Sequence, residues 1–436
     1  MNPLAGLSGA EAIRRVRQGE TTVEALAEAQ LDRAAAREAQ VRAWAYLAPE
    51  QVLSEARRLD RSQDLLPLKG LTIGVKDIID TADMPTACGS PIYAGHRPAA
   101  DAVSVARLRA AGALVMGKAV TAEFATYTPG PTRNPLDPAR TPGGSSSGSA
   151  AAVADCQVQT AFGTQTAGSV IRPASFCGTL GFKASYGRFS YQGAHRLSLT
   201  LDTLGFFARD FEDFQFIGRA LCVAGQWRPV AIKDKPRLAY VRTPWWDQAS
   251  PAVRAAMDET VARLKAAGAE VIEVDLPPEY TALAAAQALI MAYEASVNLA
   301  PEAASHGELL SPRLRELIAA GAAATTEEIQ TAHALARECR DRLRGVFAQV
   351  AGIITPAAPG VAPEGLESTG DPLFSRIWTF LGTPCTGFPV AAGEGGLPVS
   401  AQIVGPVGQD EATLALAAWV HDIAGGWRLP ALGEGA

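Results

Sequence analysis

From Leu71 onward, short apolar runs bounded by glycine and proline alternate with stretches of helical spacing, and this limits the choice of fold sharply. Leu71–Val75, Ala113–Met116 and Val158–Phe162 read as buried strands. Between the first two, Asp101–Ala111 carries Val105 and Leu108 on one helical face. Strand, helix and strand in succession predict an α/β architecture. The texture returns with strands at Arg237–Val241, Glu270–Val274, Gly352–Pro356 and Val399–Val404, and with helices at Pro251–Ala267 and about Glu411–Ile423. The first sixty residues read as helix. A capping box runs from Thr21 to Glu24, and an alanine- and leucine-rich stretch continues to about Trp44. Residues 279–349 read as mostly helical, with a second box from Thr325 to Glu328. No repeat, low-complexity linker or charge block marks a boundary. The expectation is a single domain over 1–436, with an N-terminal helical segment at about 8–60 and a mostly helical insertion at about 279–349.

The 436 residues suffice for a large core, and 48% hydrophobic with 19% charged residues is ordinary for a soluble globular chain. The net charge of −6 and the lack of a basic block argue against a nucleic-acid partner. No apolar stretch reaches the roughly 18 residues a spanning helix needs, and the N-terminus lacks signal-peptide features, so no membrane partner is expected. The six cysteines are scattered without a C-x-x-C pair, which suits a reduced, cytoplasmic protein. The five histidines show no metal-ligand spacing. Neither a metal nor another cofactor is expected.

Three segments carry chemistry. The run Thr141-Pro-Gly-Gly-Ser-Ser-Ser-Gly-Ser passes directly into Ala150-Ala-Ala-Val-Ala, a good helix start, and lacks the G-K-[ST] ending of a phosphate loop. Ser169 follows Thr166-Ala-Gly, small residues that can turn backbone N–H groups toward one point, as stabilising an oxyanion requires. Lys76 ends an apolar run and has Ile73, Val75, Ile78 and Ile79 around it. Burial would lower its pKa from about 10.4 and make it a base near neutral pH. Each segment also has a plain reading: a linker, a tight turn before a strand, a solvated surface charge. Taken together, Lys76, Ser145 and Ser169 point to nucleophilic chemistry run by serine and lysine without histidine.

These segments resemble the amidase signature family. The likeness extends over most of the chain, through Gly70-Leu-Thr-Ile-Gly-Val-Lys-Asp, Gly163-Thr-Gln-Thr-Ala-Gly-Ser-Val-Ile-Arg-Pro-Ala-Ser-Phe-Cys-Gly, Thr355-Pro-Ala-Ala-Pro and Gly396-Leu-Pro-Val-Ser-Ala-Gln-Ile-Val-Gly. Within the family it most resembles the malonamidase type. The resemblance implies a large central mixed twisted β-sheet flanked by helices on both faces. It implies an amide C–N hydrolase with Ser169 as acyl nucleophile, Ser145 as bridge and Lys76 as base. A cis bond at Gly144–Ser145 and an oxyanion hole from the N–H groups of Thr166, Ala167, Gly168 and Ser169 are also implied. Related enzymes are often homodimers, so a homodimer stays open.

Most family members place arginine two residues after the nucleophile, whereas Arg172 stands three after Ser169. In an extended segment one position reverses the face. Arg172 is therefore a candidate for binding a substrate carboxylate, as in malonamate, against the plainer reading of an internal salt bridge. Gly144, Tyr127 and Thr128 are further candidate substrate-binding residues. Cys177 reads as a structural thiol, and His195 shows no acidic partner in the sequence. Two alternatives accompany the small-molecule hydrolase. One is the amidase subunit of a tRNA-dependent amidotransferase, which the acidic charge balance does not favour. The other is an amidase for aryl or urea-type amides.

Overall fold

The computed structural model describes residues 2–232 and 235–429. Helices α1 (Gly9–Gln18) and α2 (Val23–Val41) lead to strand β1 (Trp44–Leu47), followed by α3 (Pro49–Arg61). Strand β2 (Thr72–Lys76), α4 (Val103–Ala110) and β3 (Leu114–Ala119) form a crossover whose two strands pair in parallel. Helix α5 (Ser147–Ala154) leads into β4 (Thr160–Gln165), parallel to β2 on its other side. Helix α6 (Ile171–Cys177), β5 (Leu180–Lys183), β6 (Thr203–Ala208) and α7 (Phe211–Leu221) follow. Strand β7 (Arg237–Tyr240), α8 (Pro251–Ala266) and β8 (Glu270–Glu273) form a second parallel crossover. Helices α9 (Glu279–Asn298), α10 (Ala300–His306), α11 (Pro312–Ala322) and α12 (Thr326–Phe347) occupy the stretch read as helical. The chain continues with β9 (Gly352–Pro356), α13 (Leu373–Phe380), β10 (Cys385–Ala392), β11 (Pro398–Val404) and α14 (Asp410–Ala424).

The eleven strands form one mixed sheet in the order β1-β3-β2-β4-β6-β5-β10-β11-β9-β7-β8. Every residue of β2, β3, β4, β9 and β11 is buried. Continuous rather than alternating burial is what a sheet covered on both faces produces. The edge strands β1 and β8 are only partly covered. No single described helix is long and apolar enough to cross a membrane.

Two expectations at the N-terminus are corrected by the structure. The first sixty residues are not all helix: Arg42 adopts the left-handed conformation that ends α2, and β1 then pairs antiparallel with β3 as an edge of the sheet. The first cap is Thr22 rather than Thr21. Its hydroxyl accepts from the Ala25 N–H at 3.1 Å, while Asp60 of α3 takes the Val23 and Glu24 N–H groups at 2.8 and 2.9 Å. Asp60 thus satisfies two first-turn N–H groups from outside the helix, and the Glu24 carboxylate pairs with Arg57 rather than closing a box. The box at Thr325 and Glu328 is formed as read, with both reciprocal bonds.

Candidate active site

The parallel register of β2 and β4 pairs Ile73 with Thr160, so both strands end at the same side of the sheet. The crevice beyond such strand ends is where α/β sheets hold ligands. Lys76, the last residue of β2, is fully buried. Its Nζ lies 2.8 Å from Ser145 Oγ and 2.7 Å from Thr164 Oγ1. Burial pulls the ammonium down to about 7, with the negative charge of Asp202 opposing the shift. At neutral pH a sizeable share of Lys76 is therefore an uncharged amine with a lone pair beside the Ser145 hydroxyl.

The glycine-serine run is no linker. The Gly144–Ser145 bond is cis, and the Ser145 carbonyl accepts from the Ala122 N–H at 3.0 Å. Ser146 Oγ lies 3.3 Å from both the N and the O of Thr164, and Ser149 Oγ donates to the Phe162 carbonyl at 2.7 Å. These bonds fasten the start of α5 to β4. At Gly148 a Cβ would fall 2.2 Å from the Ala43 carbonyl oxygen and 2.4 Å from the Val120 nitrogen. Only glycine lets α5 approach so closely.

Ser169, 6% exposed, lies in the turn between β4 and α6. That turn is held from four directions. The Thr166 hydroxyl donates to Asp202 at 2.5 Å, and the Thr166 carbonyl accepts from Gln287 of α9 at 2.9 Å. The Ala167 carbonyl accepts from Thr379 of α13 at 2.8 Å. Gln165 Oε1 receives the Val170 and Ile171 N–H groups at 2.9 and 3.1 Å, capping the start of α6. The neutral amide oxygen of Gln165 suffices for this role. Gly168 packs beneath α13, where a Cβ would sit 2.8 Å from Pro372 Cβ.

Arg172 lies in the first turn of α6, not in extended chain. Strand alternation does not hold there, because one helical position rotates the side chain by about 100°. The guanidinium nevertheless points back to the site: Nη2 donates to the Gly144 carbonyl at 2.6 Å and to Thr369 Oγ1 at 3.0 Å. Nε and Nη1 are buried without a partner. Among the described residues no carboxylate forms an ion pair with it, so the internal salt bridge is not found. Burial, reinforced by neighbouring Arg376, pulls the guanidinium down to about 9, and Asp371 opposes this. Tyr127 is half-buried against the core. Thr128 Oγ1 lies 2.7 Å from Ser311 Oγ, which ties its loop to the start of α11.

Thr164, Asp202, Gln287 and Thr379 were not among the sequence candidates. Only Thr164, five residues before Ser169 in the same motif, was within reach of local reading. The other three come from distant elements at positions with no motif of their own. His195 does have an acidic partner, Glu302 of α10, with its Nε2 at 3.3 Å from Oε1. Cys177 is buried with its thiol 3.4 Å from the Pro142 carbonyl, and burial pushes the thiol pKa up, away from a nucleophilic thiolate.

A family model described as amidase matches residues 25–414. A glutamyl-tRNA(Gln) amidotransferase subunit from Geobacter sp. (strain M21) is 33% identical, covering 88% of this chain and 90% of the relative. A solved amidase structure is 34% identical with a TM-score of 0.88, covering 95% of this chain and 99% of that one. The native peptide amidase from Stenotrophomonas maltophilia is 27% identical with a TM-score of 0.84, covering 99% of both chains.

Proposed function

We propose, from the premise that this chain belongs to the amidase family and is an amide C–N hydrolase, that Lys76, Ser145 and Ser169 carry its chemistry. The observation that carries this reading is the buried Lys76 Nζ at 2.8 Å from Ser145 Oγ. Uncharged Lys76 accepts the Ser145 proton while Ser145 takes that of Ser169, and Ser169 Oγ attacks the amide carbon. The resulting oxyanion faces the N–H groups of Thr166, Ala167, Gly168 and Ser169, donors of a kind worth several kcal/mol in a dry site. Collapse expels the amine, which takes its proton back through Ser145 from Lys76. Water then cleaves the acyl-enzyme by the same steps. The bonds to Asp202, Gln287 and Thr379 keep the turn in place throughout.

Two finer readings differ in substrate. The unpartnered Nε and Nη1 of Arg172 favour a small amide bearing a carboxylate, such as malonamate, which would replace the missing acceptors. The relatives favour the second reading more: the Geobacter sp. amidotransferase protein matches nearly end to end, and its name is not that of a malonamidase. On that reading the chain would supply ammonia within a complex that acts on tRNA, and the expectation of no nucleic-acid partner would fail. Ammonia release from malonamate, glutamine and propionamide, with Ser169→Ala as control, separates them. Preference for malonamate supports the first and preference for glutamine the second. Equal release by wild type and Ser169→Ala would remove the triad from both.

A further inference from the structure

Away from the triad, a groove of about 670 Å³ opens between α12, the end of α13 and the loop after β11. Arg337, Arg340 and Arg344 line it from one face of α12, spaced three and four residues apart. Phe347 extends the same stripe by a further turn, and Val407 adds exposed apolar surface above the buried Phe380 and Leu381. The adjoining face of α12, with Ala332, Ala336, Cys339 and Leu343 buried, is the one that packs into the core.

Three cations share this wall although the chain's net charge is −6. Arg340 donates from Nε and Nη2 to the Leu381 and Phe380 carbonyls, both at 3.1 Å, which fixes the guanidinium at the end of α13. Arg344 pairs with Asp341, an exposed contact of small value. Among the described residues no Asp or Glu lines the groove. Its rim carries Tyr186 and Val407, which are 44% and 52% exposed, large apolar side chains left in water. The volume falls within the range of small-molecule sites, and its lining combines three arginines and apolar side chains with Thr200, His333, Thr383 and Gln409.

We propose that this groove binds a small amphipathic carboxylate, an anionic head with a medium-length apolar body. The head sits among Arg337, Arg340 and Arg344, and the body lies along Phe347 and Val407, with Tyr186 at the rim. Charge complementarity selects the anion, and the apolar side chains select against small hydrophilic acids.

Isothermal titration of the full chain with decanoate, 1-decanol and acetate tests this, alongside the double variant Arg337→Gln/Arg344→Gln. Both replaced residues are solvent-facing, and circular dichroism checks that the variant keeps its fold. Decanoate is expected to bind at least tenfold tighter than either probe, and the double variant to lose at least tenfold in decanoate affinity alone. Equal binding of decanoate and decanol, or unchanged decanoate affinity in the variant, would overturn the proposal. So would failure of decanoate to bind while an acidic amphipathic peptide does, which would make the groove a protein-docking surface.

Discussion

At the scale of single residues, the site depends on what burial does to two cations, Lys76 and Arg172. Burial costs Lys76 most of its preference for the charged form, and among the described residues no carboxylate forms an ion pair with it to restore that preference. Acylation needs the uncharged amine, so kcat/KM should rise with pH through a limb near 7 and level off above it. Asp202→Asn removes the charge that opposes this shift, so the limb should move to lower pH. A limb unmoved by that change, measured by ammonia release from pH 5 to 9, would exclude Asp202 from tuning Lys76. Arg172→Leu leaves the Gly144 carbonyl without its donor and so impairs every substrate somewhat. If Arg172 also grips a carboxylate, malonamate should lose a further ten- to hundredfold over propionamide, the value of one or two charge-assisted bonds. Lys118 shows the contrasting arrangement: it is as deeply buried as Lys76 but lies 3.2 Å from Asp77 and donates to Thr86 at 2.6 Å. A paired lysine of that kind is structural, and nothing in its sequence surroundings separates it from Lys76.

At the scale of elements, strand ends and helix starts bring the site together. Lys76 ends β2, Ser145 precedes α5, and Ser169 lies in the turn from β4 to α6. Strands with unbroken apolar texture, such as β2 and β9, were readable from sequence because burial on both faces leaves that mark. Strand β1 was not, because its four residues follow an alanine-rich helix whose propensity masks the edge. The turn itself was legible, but its supports were not. Asp202, Gln287 and Thr379 act through contacts between residues 36, 121 and 212 positions apart, and no local pattern encodes such distances. Caps sit between these extremes: the box at Thr325 is legible because its partner is three residues away, whereas the box read from Thr21 to Glu24 gives way to a cap at Thr22 supported by Asp60 of α3. Thr325→Ala should cost about 1 kcal/mol without touching ammonia release, read from urea unfolding monitored by circular dichroism. Gly148→Ala should be far worse, since backbone occupies the space its methyl needs. Soluble, active Gly148→Ala protein would show that the α5 contact is looser than the geometry requires.

Across the whole molecule, one sheet extends from β1 to β8, and elements distant in sequence are bound to it at the site. Gln287 ties α9 to the Thr166 carbonyl, and Arg340 ties α12 to the end of α13. The helical insertion is therefore expected to unfold together with the sheet, giving one calorimetric transition. Two resolved transitions would make it a separate unit. The central claim concerns where the acyl group resides during turnover. Rapid acid quench of the enzyme with a slowly hydrolysed amide, followed by peptide mass analysis, addresses it most directly. An acyl adduct on the peptide carrying Ser169, absent from Ser169→Ala, is the predicted result. An adduct on Ser145 or Cys177 would contradict the account.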